Sequence, residues 1–431
     1  MLSRHKEELL MSNLVNERGL TGNKNYWKVV VGLFFLGWVL MYATRTIFNP
    51  IMGVVGQEFG LSNTQLGIAN SIFFLTYSAV QIPFGLVGDK YGRKLVIVVG
   101  FILMGIMTYV SGLATTFTAF LIIRAIAGLA QGTFYGPQWA LTAEAIPSSK
   151  RTFGNALINS GMAFGTSGGY LLSSQMVLEN GNRWSAPFFV MAIPTVILGI
   201  IFIFFLKEKA PQSLTTEIVA ETSAPKIPIM ESLGKIFKNK NLVASYIMLF
   251  ASIYANFVVI TWLPQFLITE RGFEGTSVGF ISSLVPWASI PGALIFARIN
   301  DKYKQTKKLV YILVPLAMLF VCLIAFVPNK TLLIVVLILS GLTGKLALDP
   351  ILITFVTHNA PKNLMSTSLS AFAFSGMCGS ILAPYVTGYI TDQFGSMKLG
   401  FYMAAVLLGI ALIFFAVLAD DTVDQENVSN P

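Results

Sequence analysis

Cysteine, histidine and charge are all scarce in this chain. Its 431 residues contain two cysteines, two histidines and only 11% charged residues, against 55% hydrophobic ones. So few charges cannot wrap that much apolar surface in a water-soluble shell, and lipid must be the solvent for most of the chain. Cys322 and Cys378 both lie inside apolar runs, where they read as small hydrophobes and not as a disulfide or metal pair. The only histidines are His5 and His358, so the GTSGG run at 165–169, which satisfies the nucleophile-elbow pattern, has no triad to join and no strand before it. A hydrolase is excluded, and Gly161, Gly165 and Gly169, at four-residue steps, suit close helix packing instead. Gly344 and Lys345 lack the other residues of a phosphate-binding loop, so no nucleotide drives the protein and no cofactor or metal is implied. A cleavable signal is missing too: residues 1–26 carry Arg4, Lys6, Glu7, Glu8, Glu17, Arg18 and Lys24, and read as a cytosolic tail.

What is abundant is apolar sequence in bilayer-sized lengths. A hydrocarbon core of roughly 30 Å takes about 20 apolar residues as a helix. Such segments run approximately 27–55, 65–87, 95–114, 117–141, 153–178, 186–206, 242–268, 277–297, 309–327, 331–356, 364–390 and 399–418. Twelve spans put both termini on one side. Lys and Arg accumulate in short cytoplasmic loops. With the termini inside, only Arg183, Arg271, Lys330 and Lys398 of the 29 Lys and Arg fall on the far side, and Arg45, Arg124 and Lys345 fall within spans. The net charge of +9 is therefore topology and calls for no nucleic acid. The polar stretch 207–241, with Pro211, Pro225 and Pro228, divides the spans six and six, and its Lys235, Lys238 and Lys240 are placed to lie on an anionic inner leaflet. Residues 419–431, with Asp420, Asp421, Asp424 and Glu426, read as a solvated tail. The expectation is an all-α membrane protein of two six-helix halves, 27–206 and 242–418, monomeric and multi-pass in the cell membrane, with both termini cytoplasmic.

Between spans two and three, 85–94 reads GLVGDKYGRK; between spans eight and nine, 297–304 reads ARINDKYK. A signature repeated at matching positions of two halves marks internal duplication. The first run fits the pattern G-x-x-x-D-[KR]-x-G-[RK]-[RK] through Gly85, Asp89, Lys90, Gly92, Arg93 and Lys94, and in this the chain resembles the major facilitator superfamily. That resemblance implies a gating loop in which the glycines allow close helix approach and Asp89 and Arg93 latch the outward-open state against a helix end of the other half, with Asp301 the counterpart in the second run. A solvated charged turn is the plainer reading. Further local resemblance points to the organic anion symporter branch. It is carried by Tyr42 and Arg45 in a Y-x-x-R pattern, by Arg124, Gly128, Gln131, Gly132 and Pro137, by TWLPQFL at 261–267, and by APYVTGYITDQFGS at 383–396. The Y-x-x-R and Gln-Gly features also resemble organophosphate:phosphate antiporters.

Four charges lie well within spans: Arg45, Arg124, Lys345 and Asp349. Each costs about 2.5–3.5 kcal/mol at a helix centre on the insertion scale, so each must face protein or a wet cavity. Trp38, Tyr42, Arg45 and Asn49 share one face of span one, and Arg124, Gln131, Tyr135 and Gln138 one face of span four. Asn70, Tyr77 and Gln81 add a face on span two, and Asn155, Asn159 and Thr166 one on span five. Polar stripes on apolar helices imply a central hydrated cavity. Spans one, four, seven and ten line the path in the resembled superfamily, and the buried charges fall on three of them. Three cations against one acid leave an excess near plus two, and a guanidinium fork grips carboxylate or phosphate by two parallel bonds. Arg45 and Arg124 are assigned to an anionic head. For Arg124, nearer the outer boundary, a structural role against helix-end carbonyls stays open. Lys345 and Asp349, at i and i+4, form either a mutually neutralising pair or a site where protonation of Asp349 releases Lys345. Tyr254 and Asn256 join Tyr42, Gln131 and Tyr135 as candidates for the body of the cargo.

One departure from the resembled branch matters. Its proton-coupled sugar-acid carriers have an acid beside the span-one arginine and another on span four, where this chain has Thr44 and Gln131. The usual coupling is not carried over. The expected function is transport, in the uptake direction, of a sugar acid or other carboxylate, with protons or a counter-transported anion as candidate co-substrates. Organophosphate exchange is the alternative, a receptor on the same fold is disfavoured by the short tails, and no enzyme is expected.

Overall fold

The computed structural model describes residues 25–147, 150–208, 229–303, 305–361 and 364–420. The tail charges from Arg4 to Lys24, the linker prolines Pro211, Pro225 and Pro228, Lys304, and the acids Asp421, Asp424 and Glu426 lie outside these residues. The first half comprises Tyr26–Thr46, Asn63–Tyr91, Arg93–Ser111, Phe117–Ala145, Arg151–Ser173 and Ala186–Phe205. The second comprises Lys240–Arg271, Thr276–Tyr303, Thr306–Phe326, the pair Lys330–Thr343 and Lys345–Asn359, then Met365–Phe394 and Lys398–Leu418. No strand occurs among the described residues. Eleven helices among them are long and apolar enough to cross a membrane. The twelfth span, Arg151–Ser173, has the length but is diluted by five glycines, Asn155, Asn159 and Ser160. Those glycines serve packing: a Cβ on Gly161, Gly165 or Gly169 would come within 3 Å of the carbonyl oxygens of Phe35, Val39 and Ala43, so span five lies directly on the backbone of span one.

Three spans depart from the continuous helices expected of them. Span one stops at Thr46, passes through a tight turn at Asn49–Ile51 and resumes as Met52–Phe59, because Pro50 has no amide hydrogen to give. Span five runs beyond Ser173 through a wide π turn, Ser174–Glu179. Span ten is broken at Gly344, whose ψ of −158° is extended, so Lys345 opens a new helix in the middle of the bundle. Within the linker, Ile229–Lys238 forms a short helix that leads into span seven.

The four basic residues that escape the positive-inside pattern are tied to acids or helix ends. Arg271 donates to the carbonyls of Ile324 and Ala325, and Lys330 to that of Gly272, where a helix C-terminus welcomes a cation. Lys398 pairs with Glu270 and Arg183 with Glu58.

The halves are joined at the end of the bundle away from the termini. Asp392, in the last turn of span eleven, accepts the backbone amides of Asn63 and Thr64 at 2.9 and 2.7 Å, at the start of span two. Glu179, closing span five, accepts the Thr276 amide at 3.0 Å, at the start of span eight. Spans two and eight correspond under the duplication, as do five and eleven, so one device is used twice: a carboxylate of one half set on the positive end of a helix dipole in the other. Gly67 and Gly388 reinforce it, since a Cβ on either would collide with the backbone of Pro384 or Asn63. Asn49 donates to the Ile260 carbonyl, and the Gly53 amide donates to Gln265. This end is therefore closed.

Gly67→Leu should hold the same end open. With Cys322 and Cys378 replaced by alanine and a cysteine placed at Ser71, whose hydroxyl meets the Ile381 carbonyl in the closed form, maleimide labelling of purified protein should rise severalfold. Labelling unchanged from the Gly67 parent would mean that this contact does not control closure.

Candidate functional site

Arg45 sits on span one, 6% exposed, inside a ring of aromatic faces. Its guanidinium carbon lies 4.8 Å from the centre of the Tyr42 ring and 4.4 Å from that of Tyr77, with Phe73 and Phe74 within 6 Å. Cation–π contacts of this kind recover part of the lost hydration. Its Nε donates to Gln131 Oε1 at 2.6 Å, and the Gln131 amide donates in turn to Thr44 Oγ1 at 3.0 Å. The two positions that lack the branch's acids thus form a neutral cradle. Nη2 of Arg45 is buried and has no partner, and among the described residues no carboxylate pairs with this arginine. A bare guanidinium nitrogen in such surroundings is a strong hydrogen-bond donor.

Arg124, 3% exposed, is treated differently. Its Nη2 donates to Asn70 Oδ1 at 2.7 Å, its Nε points to the Ala69 carbonyl at 3.4 Å, and its plane lies 5.0 Å from both Phe48 and Phe73. Asn70 passes the interaction on to Asn49. Arg124 therefore braces spans one, two and four and borders neither of the two cavities described next.

The larger cavity, about 100 Å³, lies mainly among spans seven, eight, nine and ten, with Tyr42, Met162, Ala163 and Thr166 contributed from the first half. Asn256, Gly344 and Lys345 are on its wall. A smaller one, about 20 Å³, contains Arg45, Asn49 and Asn70. Tyr42, Phe257 and Ile260 border both, so the two are adjoining parts of one interior. Lys345 Nζ is 2.5 Å from Asp349 Oδ2, while Asp349 Oδ1 is buried without a partner. Lys345 is also the first residue of its helix, with no side chain capping it, so the dipole adds positive potential on this wall.

The structure thus brings Tyr42, Arg45, Asn256 and Lys345 to the cavity walls, with Gln131 behind Arg45 and Asp349 behind Lys345. Tyr135 stands edge-on to Trp38 at 6.0 Å and is 40% exposed. Tyr254 is 1% exposed and packs against Phe250 within the second half, away from both cavities.

The charged turn forms a compact network inside its own half. Arg93 pairs with Asp89 at 2.9 Å and with Glu144, from the end of span four, at 2.6 Å. Glu208, just past span six, accepts the backbone amides of Arg93 and Lys94 and so caps span three. Gly92, at φ +110°, makes the corner there, and a side chain on it would press on Glu208 at 3.0 Å. Gly85 faces open space. In the second half Asp301 is exposed, while its neighbour Asn300 is buried and accepts from Thr306.

Sequence reasoning missed Glu144 and Glu208, single acids at span ends with no pattern to mark them, and it missed the break at Gly344. The run GLTGK at 341–345, two glycines in mid-span before a lysine, is the signal that points to that break. It also missed Asp392 and Glu179, whose partners lie in the other half.

Residues 34–384 match the sequence profile of the Major Facilitator Superfamily. The chain is 26% identical over 415 residues to the hexuronate transporter of Bacillus subtilis (strain 168), covering 90% of this chain and 94% of that one. It is 27% identical over 413 residues to the phosphoglycerate transporter protein of Salmonella typhimurium (strain LT2), covering 89% and 87%. Against a probable sulfoacetate transporter of Cupriavidus necator it is 24% identical, covering 92% and 96%. A bacterial homolog of the human lysosomal transporter Spinster, solved in an inward-facing and occupied conformation, shares the fold with a TM-score of 0.73 at 14% identity, covering 92% of this chain and 97% of that one. A profile match over most of the chain, on a twelve-span architecture of two six-helix halves, makes this protein a member of the Major Facilitator Superfamily, a transporter and not an enzyme.

Proposed function

We propose that the protein carries a small organic anion across the cell membrane by alternating access, with both termini cytoplasmic and Arg45 receiving the anionic head. One observation carries this reading: Arg45 is buried on the wall of the smaller cavity, which adjoins the larger one, and is held by the neutral amide of Gln131 with Nη2 unpartnered. A cation kept in low dielectric without a counter-charge gains most from an anion that arrives and leaves. Hexuronate, sulfoacetate and phosphoglycerate, the cargoes named for the relatives, are all anions, which agrees. The rocking of two duplicated halves about the interior supplies the access, and the closed end is one of its two limits.

Coupling falls to Asp349. With Thr44 and Gln131 unable to titrate, Asp349 is the acid beside the cavity, and its free oxygen can take a proton and loosen Lys345. Tyr42 and Tyr135 are the neighbouring hydroxyls in electrostatic reach of the pair.

Three variants test these roles in reconstituted vesicles, with a panel of carboxylate, sulfonate and organophosphate anions. Arg45→Ala should weaken anion binding about 10- to 150-fold, the loss of a charged hydrogen bond of about 1.5–3 kcal/mol, while the protein still elutes as a folded species. Binding that survives this change would remove Arg45 from the site. Gln131→Glu places a carboxylate on the same guanidinium and should lower affinity about tenfold or more by competing with the cargo; an affinity at or above wild type would contradict the neutral-cradle argument. Asp349→Asn should abolish accumulation driven by an imposed proton gradient yet leave anion exchange running. Undiminished proton-driven uptake in that variant would reduce Asp349 to a passive partner of Lys345.

A further inference from the structure

We propose that the interior selects a carboxylate with a compact apolar body over a polyhydroxylated one of the same size, an inference that rests on the organic-anion reading and narrows it. The amides of the first half nearest Arg45 are already committed, and Gln81 Nε2 and Asn155 Oδ1, which are buried without partners, line neither cavity. Gln131 serves Arg45 and Thr44, Gln138 accepts from Trp38 and donates to Thr142, and Asn70 and Asn49 are bound to Arg124 and the Ile260 carbonyl. Gln131, Gln138, Asn70 and Asn49 thus glue the helices of the first half together, and little of them is left to read hydroxyls.

The larger cavity has the same character. Thr166, Ser289 and Thr343 line it, yet each gives its proton to its own helix, to the carbonyls of Met162, Pro286 and Leu339. They face cargo as acceptors only. The Lys345 ammonium is turned to Asp349. Between these groups the wall is aliphatic, with Val259, Val285, Val314, Val321 and Leu348. Asn256, Ser252, Ser340 and the Tyr42 hydroxyl complete the polar lining, too few donors for a sugar ring whose every hydroxyl both gives and accepts. Each hydroxyl set against this wall without a partner carries a desolvation penalty, while a methylene in the same place gains by leaving water.

The discriminating pair is cyclohexanecarboxylate and glucuronate: both six-membered rings with one carboxylate, one stripped of hydroxyls. Calorimetric titration of the purified full chain should give cyclohexanecarboxylate an affinity about ten- to a hundredfold higher. Val259→Thr combined with Val285→Thr, near-isosteric changes, should shrink that ratio severalfold, and Arg45→Ala should weaken both acids together. Equal or tighter binding of glucuronate by the wild type overturns the proposal and leaves the anion reading intact. A ratio untouched by the double threonine variant overturns the assignment to this wall. Binding of neither acid, with wild-type protein folded, overturns the proposal and the organic-anion reading together.

Discussion

A guanidinium buried in the middle of a membrane protein must be stabilised, and in the first half Arg45 is stabilised without being neutralised. A carboxylate partner would solve the burial of Arg45 and end its availability, because a closed ion pair in low dielectric does not readily exchange one anion for another. The chain solves the problem with weaker means. Tyr42 and Tyr77 offer ring faces, Gln131 one neutral acceptor, and Phe73 stands between this cation and Arg124. The charge is tolerated and still unsatisfied. Arg124, given Asn70 and a backbone carbonyl, is satisfied more completely and acts as a brace.

The second half answers with a complementary construction. Span ten is interrupted at Gly344, so a lysine and a helix N-terminus meet the larger cavity. Broken helices can exist at membrane depth where the freed backbone faces protein or a cavity instead of lipid, and here the break lies on the cavity wall. Lys345 and Asp349 are bound to each other, which keeps the resting potential of the second half low. The two halves are thus unequal despite their common plan: the first holds an uncompensated cation, the second one compensated by Asp349.

Closure at one end uses duplication more literally. Asp392 on the start of span two and Glu179 on the start of span eight are the same interaction generated twice by the internal symmetry. Charge–dipole contacts with exposed partners are individually modest, about 0.3–1 kcal/mol. That scale suits a contact broken and remade in every cycle. Glycines at 67 and 388 add shape without adding adhesive energy, since backbone meets backbone there. At the other end, Asp89, Arg93, Glu144 and Glu208 form a network within the first half when the opposite end is shut, with Glu144 Oε2 left buried and unpartnered.

Composition and periodicity alone determined that this is a membrane protein of twelve helices, because the bilayer dictates span length and expels charge, and both constraints act on linear sequence. The duplicated loop and the four charges within spans were legible for the same reason. Which polar residues remain available to a cargo was decided only in three dimensions. Arg45, Arg124, Gln131 and Gln138 look equivalent as stripes on a helical wheel, yet their partners come from other spans, and hydrogen bonding across 50 to 100 residues of chain leaves no periodic trace. The break at Gly344, the back-bonded hydroxyls and the carboxylates that seal the halves belong to the same class. Local pattern sets which face of a helix turns inward, and tertiary packing sets whether the groups on that face are already spent on one another.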